Sequence, residues 1–280
     1  MPELPEVETI KRILEPQLKG RQIVSVAVNN PQIIAYPETD IFSDALVGQT
    51  ITSMSSRGKY LTIHFEGGGS LTIHLRMTGQ LLITPADYPT EKHTHISAGL
   101  SDGMEIRYID VRRFGRFWYL QADEADTVTG RSKLGIEPFD ELLTADYLRS
   151  KLEKRKKPIK EMLHDQSIVA GIGNIYSDEI LFSACIYPET KCSDLTAEQW
   201  KRLAKTIPEI LLWGIEANEM TAEEYLAGMG KEYRNTPFLK AYGHEDKPCP
   251  NCGSLFEKII VGGRSSCYCP TCQKLKEQST

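Results

Sequence analysis

The tightest constraint on this chain lies near its end. "CPNC" and "CPTC" set Cys249, Cys252, Cys269 and Cys272 in a C-x2-C-x16-C-x2-C pattern. Each C-x2-C turn presents two thiolates to one ion, and two such turns complete a closed tetrahedral zinc site. The intervening "EKIIVGGRSSCYC" alternates like a two-stranded hairpin with a Gly-Gly turn, which brings the two knuckles together. The pattern predicts one structural Zn2+ held by these four cysteines. With every ligand a thiolate, no coordination position is open for chemistry. Cys267 lies off the ligand register and is read as a bystander. Cys185 and Cys192 stand apart, with no role beyond packing. Seven cysteines, an odd count concentrated at one end, suit a metal site in a reducing compartment better than a disulfide framework.

The remaining composition narrows the function classes. A chain of 280 residues has room for two domains or one with appendages. No apolar run approaches the ~18–20 residues of a membrane span, and no basic segment followed by an apolar one marks a signal peptide. We therefore expect a cytoplasmic protein without a membrane partner. Acids outnumber bases, 38 to 33, for a net charge of -5, which argues against a uniformly basic nucleic-acid binder. Screening confines electrostatic fields to ~10 Å at moderate salt, so a local basic face still works on an acidic protein, with a steep salt dependence.

Hydrophobic patterning divides the chain. Val7, Ile10, Ile13, Leu14 and Leu18 fall at helical spacing and predict an amphipathic helix over 5–19. From about 22 to 120, short alternating or apolar runs ("QIVSVAV", "YLTIHF", "SLTIHL", "QLLIT", "MEIRYID", "GRFWYL") alternate with turns such as "EGGG" and "SDG". At least seven closely spaced strands predict a β-sandwich or barrel. Helical patterns return at about 145: "DYLRSKLEKRKKPIKEMLHDQ", interrupted by Pro158, then "GIGNIYSDEILFSACI", "TAEQWKRLAKTIPEILLWGIEAN" and "TAEEYLAG". The segment 228–240 has no periodicity and reads as a loop.

The opening "MPELPE" raises a chemical question. Removal of Met1 ahead of a small Pro2 leaves a secondary amine at the start of the mature chain. A neutral amine attacks an aldehyde-like carbon, such as a sugar C1′, to give a Schiff base. At pH 7 a lysine is unprotonated only about 0.04% of the time, against roughly 10–15% for an α-amino group. Glu3 beside it is placed to donate a proton if its surroundings raise its pKa. Taken alone, the two residues read rather as a non-helical lead-in followed by a first-turn acid.

The rest of the chain resolves this. "MPELPEVET", "RGKYL", "HLRMTG", "YIDVRRFG", "LGIEP", "DQSIVAGIGNIYSDEILFSA" and "AYGHEDKPCPNCGS…EKIIVGGRSSCYCPTC" occur in that order. Together they resemble the formamidopyrimidine-DNA glycosylase family, related to endonuclease VIII, from residue 1 to about 273. The "PELPE" opening is closer to the formamidopyrimidine branch. The resemblance implies a multidomain α+β fold: an N-terminal two-sheet β-sandwich (1–133), a helix–two-turn–helix domain (134–240) with a lesion-recognition loop at 218–237, and a zinc-binding β-hairpin (241–276), with DNA in the cleft between. It implies a monomer acting on double-stranded DNA that contains a damaged base or an abasic site. The oxidised base is excised and the strand nicked by β- and δ-elimination. Pro2 matches the Schiff-base nucleophile and Glu3 the assisting acid. Lys59 in "RGKYL" matches the β-elimination lysine, and Arg264 in "GGRSS" the δ-elimination arginine.

Chemistry on a stacked base requires that the base be flipped out and that the gap be propped by an apolar wedge. By resemblance Met77 and Phe114 are wedges, and Arg112 reaches the widowed base. By residue type alone Met77 also fits a core side chain at a strand end, and "RRF" a solvated hairpin. His93 matches a DNA-contacting histidine, His74 is a weaker candidate, and either fits a structural histidine. The run 151–160 ("KLEKRKKPIK") reads as a solvated helix face or, by resemblance, as a phosphate grip in which Arg155 and Lys156 occupy the DNA-binding position. Arg113 joins them. Asn174 opens a helix after "GIG", where backbone amides favour a phosphate.

One stretch departs from the family pattern. After the long helix a Gly-Gly-Thr stretch is expected; here Asn218 and Glu219 replace the small residues and Thr221 remains. The reaction type is thus expected to hold, with 8-oxoguanine and formamidopyrimidines as substrates and oxidised pyrimidines or hydantoins as the alternative. A non-catalytic DNA-damage binder is the rival from another class, although it would have no need of Pro2, Glu3 and Lys59. A plain zinc-ribbon transcription module leaves the first 240 residues without a role.

Overall fold

A computed structural model describes residues 2–274; positions 275 and 276 of the expected hairpin domain lie outside the described residues. The chain divides into two compact units, one of residues 2–132 with 218–234, the other of 133–217 with 235–274.

The first unit begins with helix α1 (Leu4–Leu18), for which Glu3 is the N-cap and Pro5 lies in the first turn. Val7, Ile10, Leu14 and Leu18 are buried along one face, the stripe that helical spacing predicts. The strands follow as β1 (Ile23–Val28), β2 (Ile34–Tyr36), β3 (Ile51–Arg57), β4 (Tyr60–Phe65), β5 (Ser70–His74), β6 (Gly79–Pro85), β7 (Thr94–Leu100), β8 (Met104–Asp110) and β9 (Arg116–Leu120), with helix α2 (Thr39–Leu46) between β2 and β3. They form a four-stranded sheet ordered β1-β7-β8-β6 and a five-stranded sheet ordered β2-β9-β5-β4-β3. Antiparallel register sets Gly79 against Asp110 and Tyr60 against His74. Both pairs bring chemistry-bearing turns to strand ends. The sheets and α1 share one apolar core.

The segment 218–234 packs with this sandwich, whereas the sequence groups 218–237 with the helical domain. The reason is a short amphipathic helix after the departure noted above. Helix α7 (Ala222–Ala227) is closed by a reciprocal capping box between Thr221 and Glu224. Its Tyr225 is buried and donates its hydroxyl to the Leu81 carbonyl at 3.2 Å. Met220, Ala222, Leu226 and Met229 pack onto the same core.

The second unit holds α3 (Ala145–Leu152), α4 (Ile159–Leu163), α5 (Asn174–Ser183) and α6 (Ala197–Ala217), then a hairpin of β10 (Glu257–Val261) and β11 (Arg264–Tyr268). Pro158 is the N-cap of α4 and divides the basic run. Residues 154–157 therefore form an exposed turn and not a helix face, while Lys160 is fully buried. The hairpin turn is Gly262–Gly263, at φ +55° and +77°, the left-handed pair that a tight two-residue turn requires. Among the described residues no helix is long and apolar enough to cross a membrane.

Truncating Tyr225 to Ala removes the anchor of 218–234. We expect a loss of about 3–5 kcal/mol of local stability. Hydrogen exchange at the amides of 222–231 should rise while β4 and β5 keep their protection; equal deprotection of both would contradict a local anchor.

Candidate active site

Pro2 leads directly into α1 and is buried. Glu3 is 1% exposed at the helix start, and its amide donates to the Glu6 carboxylate at 2.8 Å as one half of a capping box. Pro2 lines a cavity of about 240 Å³ together with Met77, Thr78, Gly79, Gln80 and Val111. Gly230, Lys231 and Tyr233 of the 218–234 segment form another wall. Burial, then the neighbouring Tyr225 and Glu6, hold the Tyr233 phenol well above its usual range. It remains a neutral hydrogen-bond donor. The volume lies below that of drug-sized pockets, ~300–1,000 Å³, and suits a single heterocycle.

Beside this cavity two turns hang on one carboxylate. Asp110, fully buried at the end of β8, accepts at Oδ1 from the Thr78 hydroxyl and from the Arg112 amide at 3.1 Å. At Oδ2 it accepts from the Gly115 amide and the Tyr108 hydroxyl, both at 2.9 Å. Burial opposes its charge, but these four donors outweigh burial and hold its pKa below the usual carboxylate value. Its main chain is tied as well: its amide donates to the His93 carbonyl at 3.1 Å, and its carbonyl lies 2.8 Å from His95 Nε2. A Cβ at Gly115 would come within 1.7 Å of the Tyr108 hydroxyl, so only glycine allows this closure.

The two braced turns present the expected wedge residues. Met77 is 43% exposed and Phe114 is 45% exposed. The Arg112 guanidinium stacks over the Phe114 ring at 4.6 Å and donates to the Met77 sulfur at 2.9 Å. Arg113 sits beside them at φ +60°. Thus Met77, Arg112 and Phe114, separated in sequence, form one cluster, and Met77 also reaches the cavity of Pro2.

Lys59 occupies the turn between β3 and β4 and is 9% exposed. His74 pairs with Tyr60, the residue after Lys59, and packs edge-on against the Tyr60 ring at 4.7 Å. Burial, then Arg76 and Lys59, depress the His74 pKa to about 3. Its Nδ1 accepts the Arg76 amide at 3.1 Å, which leaves the proton on Nε2. His74 is therefore neutral, packed on Tyr60, with Nε2–H as its remaining donor. His93 is half-buried, with its ring centroid 6.4 Å from that of His95.

In the second unit, Arg155 and Lys156 are exposed in the turn before α4, and Arg264 is exposed at the start of β11. Asn174 is the first residue of α5, and its Oδ1 is buried with no hydrogen-bond partner among the described residues. The four cysteine sulfurs lie within 4.8 Å of one another. Cys249 and Cys272 are 3.9 Å apart, Cys252 and Cys269 3.4 Å; a tetrahedron with Zn–S near 2.3 Å has edges of about 3.8 Å. The Cys272 amide points at Cys269 Sγ, 3.4 Å away. Burial pushes the Cys269 and Cys272 thiols up, so a dication is the group that allows all four to ionise together. The donor set fits one structural zinc. Cys267 is outside the cluster; its amide donates to Asp178 at 3.1 Å.

Asp110, Tyr108, His95 and Tyr233 went unremarked in the sequence. The one signal for Asp110 was an acid closing the apolar strand "MEIRYID" immediately before the arginine turn.

Asp110→Ala leaves buried donors without an acceptor, and we expect a loss of about 3 kcal/mol or more. Amide exchange at Arg112 and Gly115 should accelerate most; unchanged protection there would refute the brace. The depressed His74 pKa also sets an acid limb. The unfolded chain binds this proton below about pH 6.5 and the folded chain does not, so stability falls as pH drops from there toward 3, by up to about 1.4 kcal/mol per unit. A His74→Gln variant, followed by urea denaturation between pH 4 and 7, should show a flatter profile.

Three family models match the chain: the formamidopyrimidine-DNA glycosylase N-terminal domain over residues 1–117, the H2TH domain of that glycosylase over 134–235, and the zinc finger found in FPG and IleRS over 246–275. The formamidopyrimidine-DNA glycosylase of Pelotomaculum thermopropionicum is 43% identical, covering 99% of this chain and 100% of its own. That of Desulforamulus reducens is 45% identical, covering 99% and 100%. Among solved structures, Lactococcus lactis Fpg bound to DNA containing an oxidised pyrimidine superimposes with a TM-score of 0.90 at 35% identity, covering 98% of this chain and 100% of the other. The same enzyme bound to DNA containing an abasic site gives 0.87 at 34% identity and the same coverage. With its sandwich, four-cysteine hairpin and full-length similarity, this chain belongs to the formamidopyrimidine-DNA glycosylase family.

Proposed function

We propose that this protein is a cytoplasmic, monomeric DNA glycosylase and abasic-site lyase of base excision repair, acting on duplex DNA that carries an oxidised base or an abasic site. The observation that carries the reading is Pro2 on the wall of a heterocycle-sized cavity, next to a buried Glu3. With Met1 removed, the Pro2 amine attacks C1′ of the damaged nucleotide, and the base departs as Glu3 assists with a proton. The Schiff base then acidifies C2′. Lys59 serves the first elimination and Arg264 the second.

Substrate access depends on the braced turns. Met77 and Phe114 fill the space that the flipped nucleotide vacates, and Arg112, held by both, addresses the opposite base. Arg113 and His93 in the first unit, and Arg155, Lys156 and Asn174 in the second, contact phosphates. His74, neutral and packed on Tyr60, is the weaker candidate and would meet a phosphate through its Nε2–H. The zinc, when bound, supplies the fixed geometry of the Arg264 hairpin and takes no part in the reaction.

For the base itself, 8-oxoguanine and formamidopyrimidines are the first reading. Oxidised pyrimidines are the second, favoured by the Lactococcus lactis enzyme's complex with an oxidised pyrimidine and by Asn218 and Glu219 in place of small residues. A panel of duplexes, each with one lesion against each of the four bases, separates them.

Borohydride added to the protein with an abasic duplex should trap a covalent adduct, and Pro2→Gly should lower its yield at least about tenfold by losing the oriented secondary amine. Absence of any adduct in the parent protein would favour the non-catalytic binder, and full yield in the Pro2 variant would move the nucleophile elsewhere.

A further inference from the structure

Within the second unit, one buried ion pair is used by nothing described so far. Lys160 of α4 and Asp178 of α5 have side-chain exposures of 0% and 1%. The Lys160 ammonium donates to Asp178 Oδ1 and to the Ser265 carbonyl, the latter at 3.2 Å. The Ser266 hydroxyl donates to Asp178 Oδ1 at 2.6 Å, and the Cys267 amide to Oδ2 at 3.1 Å. Three consecutive residues of β11, those directly after Arg264, are therefore fastened to this pair. The next residue of α4 completes the hold: a Cβ placed on Gly262 would lie 3.1 Å from Glu161 Cγ. The Gly262–Gly263 turn thus rests against α4 on the side away from the cysteines.

Energetics decide what such a pair is for. Removing two charges from water costs several kcal/mol per ion, and well-packed apolar side chains of similar volume are often as stable or more so. Stability alone gives no reason for the pair. What an ion pair adds is direction, because three hydrogen bonds linking β11 to two charged groups admit only one register of β11 against α4 and α5. The zinc fixes the knuckle end of the hairpin at Cys269 and Cys272; it exerts no such control over the turn at the other end.

We propose that Lys160 and Asp178 are positioning residues for Arg264, holding its turn so that the guanidinium reaches the second elimination step. This rests on the assignment of Arg264 to that step. In the first elimination a base takes a C2′ proton, the C–H electrons form the new double bond and the C3′–O bond breaks, releasing the 3′ phosphate. In the second, a C4′ proton is lost and the C5′–O bond breaks, releasing the 5′ phosphate. Only the second requires Arg264 at a fixed place near the departing phosphate.

The test uses the full-length, zinc-loaded protein and a duplex with one abasic site, reading the ratio of δ- to β-elimination ends. A Lys160→Met/Asp178→Val double variant removes both charges together and stays near the original combined volume. We expect it to nick at the parent rate and retain its zinc, with the δ share reduced at least about tenfold, toward the roughly hundredfold that a ~1 Å misplacement costs. Ser266→Ala, which removes one hydrogen bond and leaves the charges, should shift the ratio in the same direction and serves if the double variant does not fold. An unchanged ratio in the folded double variant, or in Ser266→Ala if the former is unfolded, overturns the proposal. Arg264→Ala, run in parallel, separates the two ideas. Loss of δ ends there but not in the positioning variants refutes the clamp alone, whereas retention of δ ends in Arg264→Ala refutes the role of Arg264 itself.

Discussion

The arrangement beside Pro2 depends on the Asp110 carboxylate. Two turns, one after β5 and one after β8, lie outside the sheet ladders, yet they must present Met77, Arg112 and Phe114 as one surface. A buried anion with four donors converging on it from Thr78, Tyr108, Arg112 and Gly115 fixes both turns at once. Charge-assisted bonds in a low-dielectric site are strong and directional, so the exposed tips keep a shape although their side chains face solvent. Gly115 is the steric counterpart, since the Tyr108 hydroxyl occupies the space where any other residue would place a Cβ.

The second unit solves a similar problem with different chemistry. A two-stranded hairpin is marginal by itself, and here it is fastened at two places: four thiolates around a metal at one end, and the Lys160–Asp178 pair along β11 toward the other. Both devices bury charge and both compensate it locally. The net negative charge of the chain has little bearing on either, because what matters is which charges stand within a screening length of each other. The same argument accommodates exposed Arg155 and Lys156 on an acidic protein.

Much of the fold was legible from periodicity. The α1 stripe, β4, β5, β6, β8 and β9, and the long α6 appear close to where apolar spacing puts them. Strands β2, β3 and β7 and helix α2 were not singled out, since "ITSMSSR" and "THISAGL" carry serine, glycine and histidine at positions that a neighbouring strand, not local propensity, makes extended. By family resemblance 218–237 goes with the helical domain, and the H2TH model runs to 235, while in packing 218–234 joins the sandwich. Tyr225 finds its core in β6 instead. His74 looked like a DNA ligand by type, and only its burial against Tyr60 and its neighbours Arg76 and Lys59 reveal it as neutral.

By itself the sequence determined the features that depend on local spacing: the zinc ligand set, the helix and strand content, the glycine pair of the hairpin turn and the chemically distinctive Pro2–Glu3 start. Family motifs added the reaction type. The tertiary structure decided what depends on residues far apart in the chain: that Met77 and Pro2 line one cavity with Tyr233, that Asp110 joins two turns, and that Lys160, counted in the basic run, is buried against Asp178. The reason is physical. Periodicity and spacing follow from backbone geometry within a few residues, whereas burial and the convergence of donors on a carboxylate exist only once distant segments have been brought together.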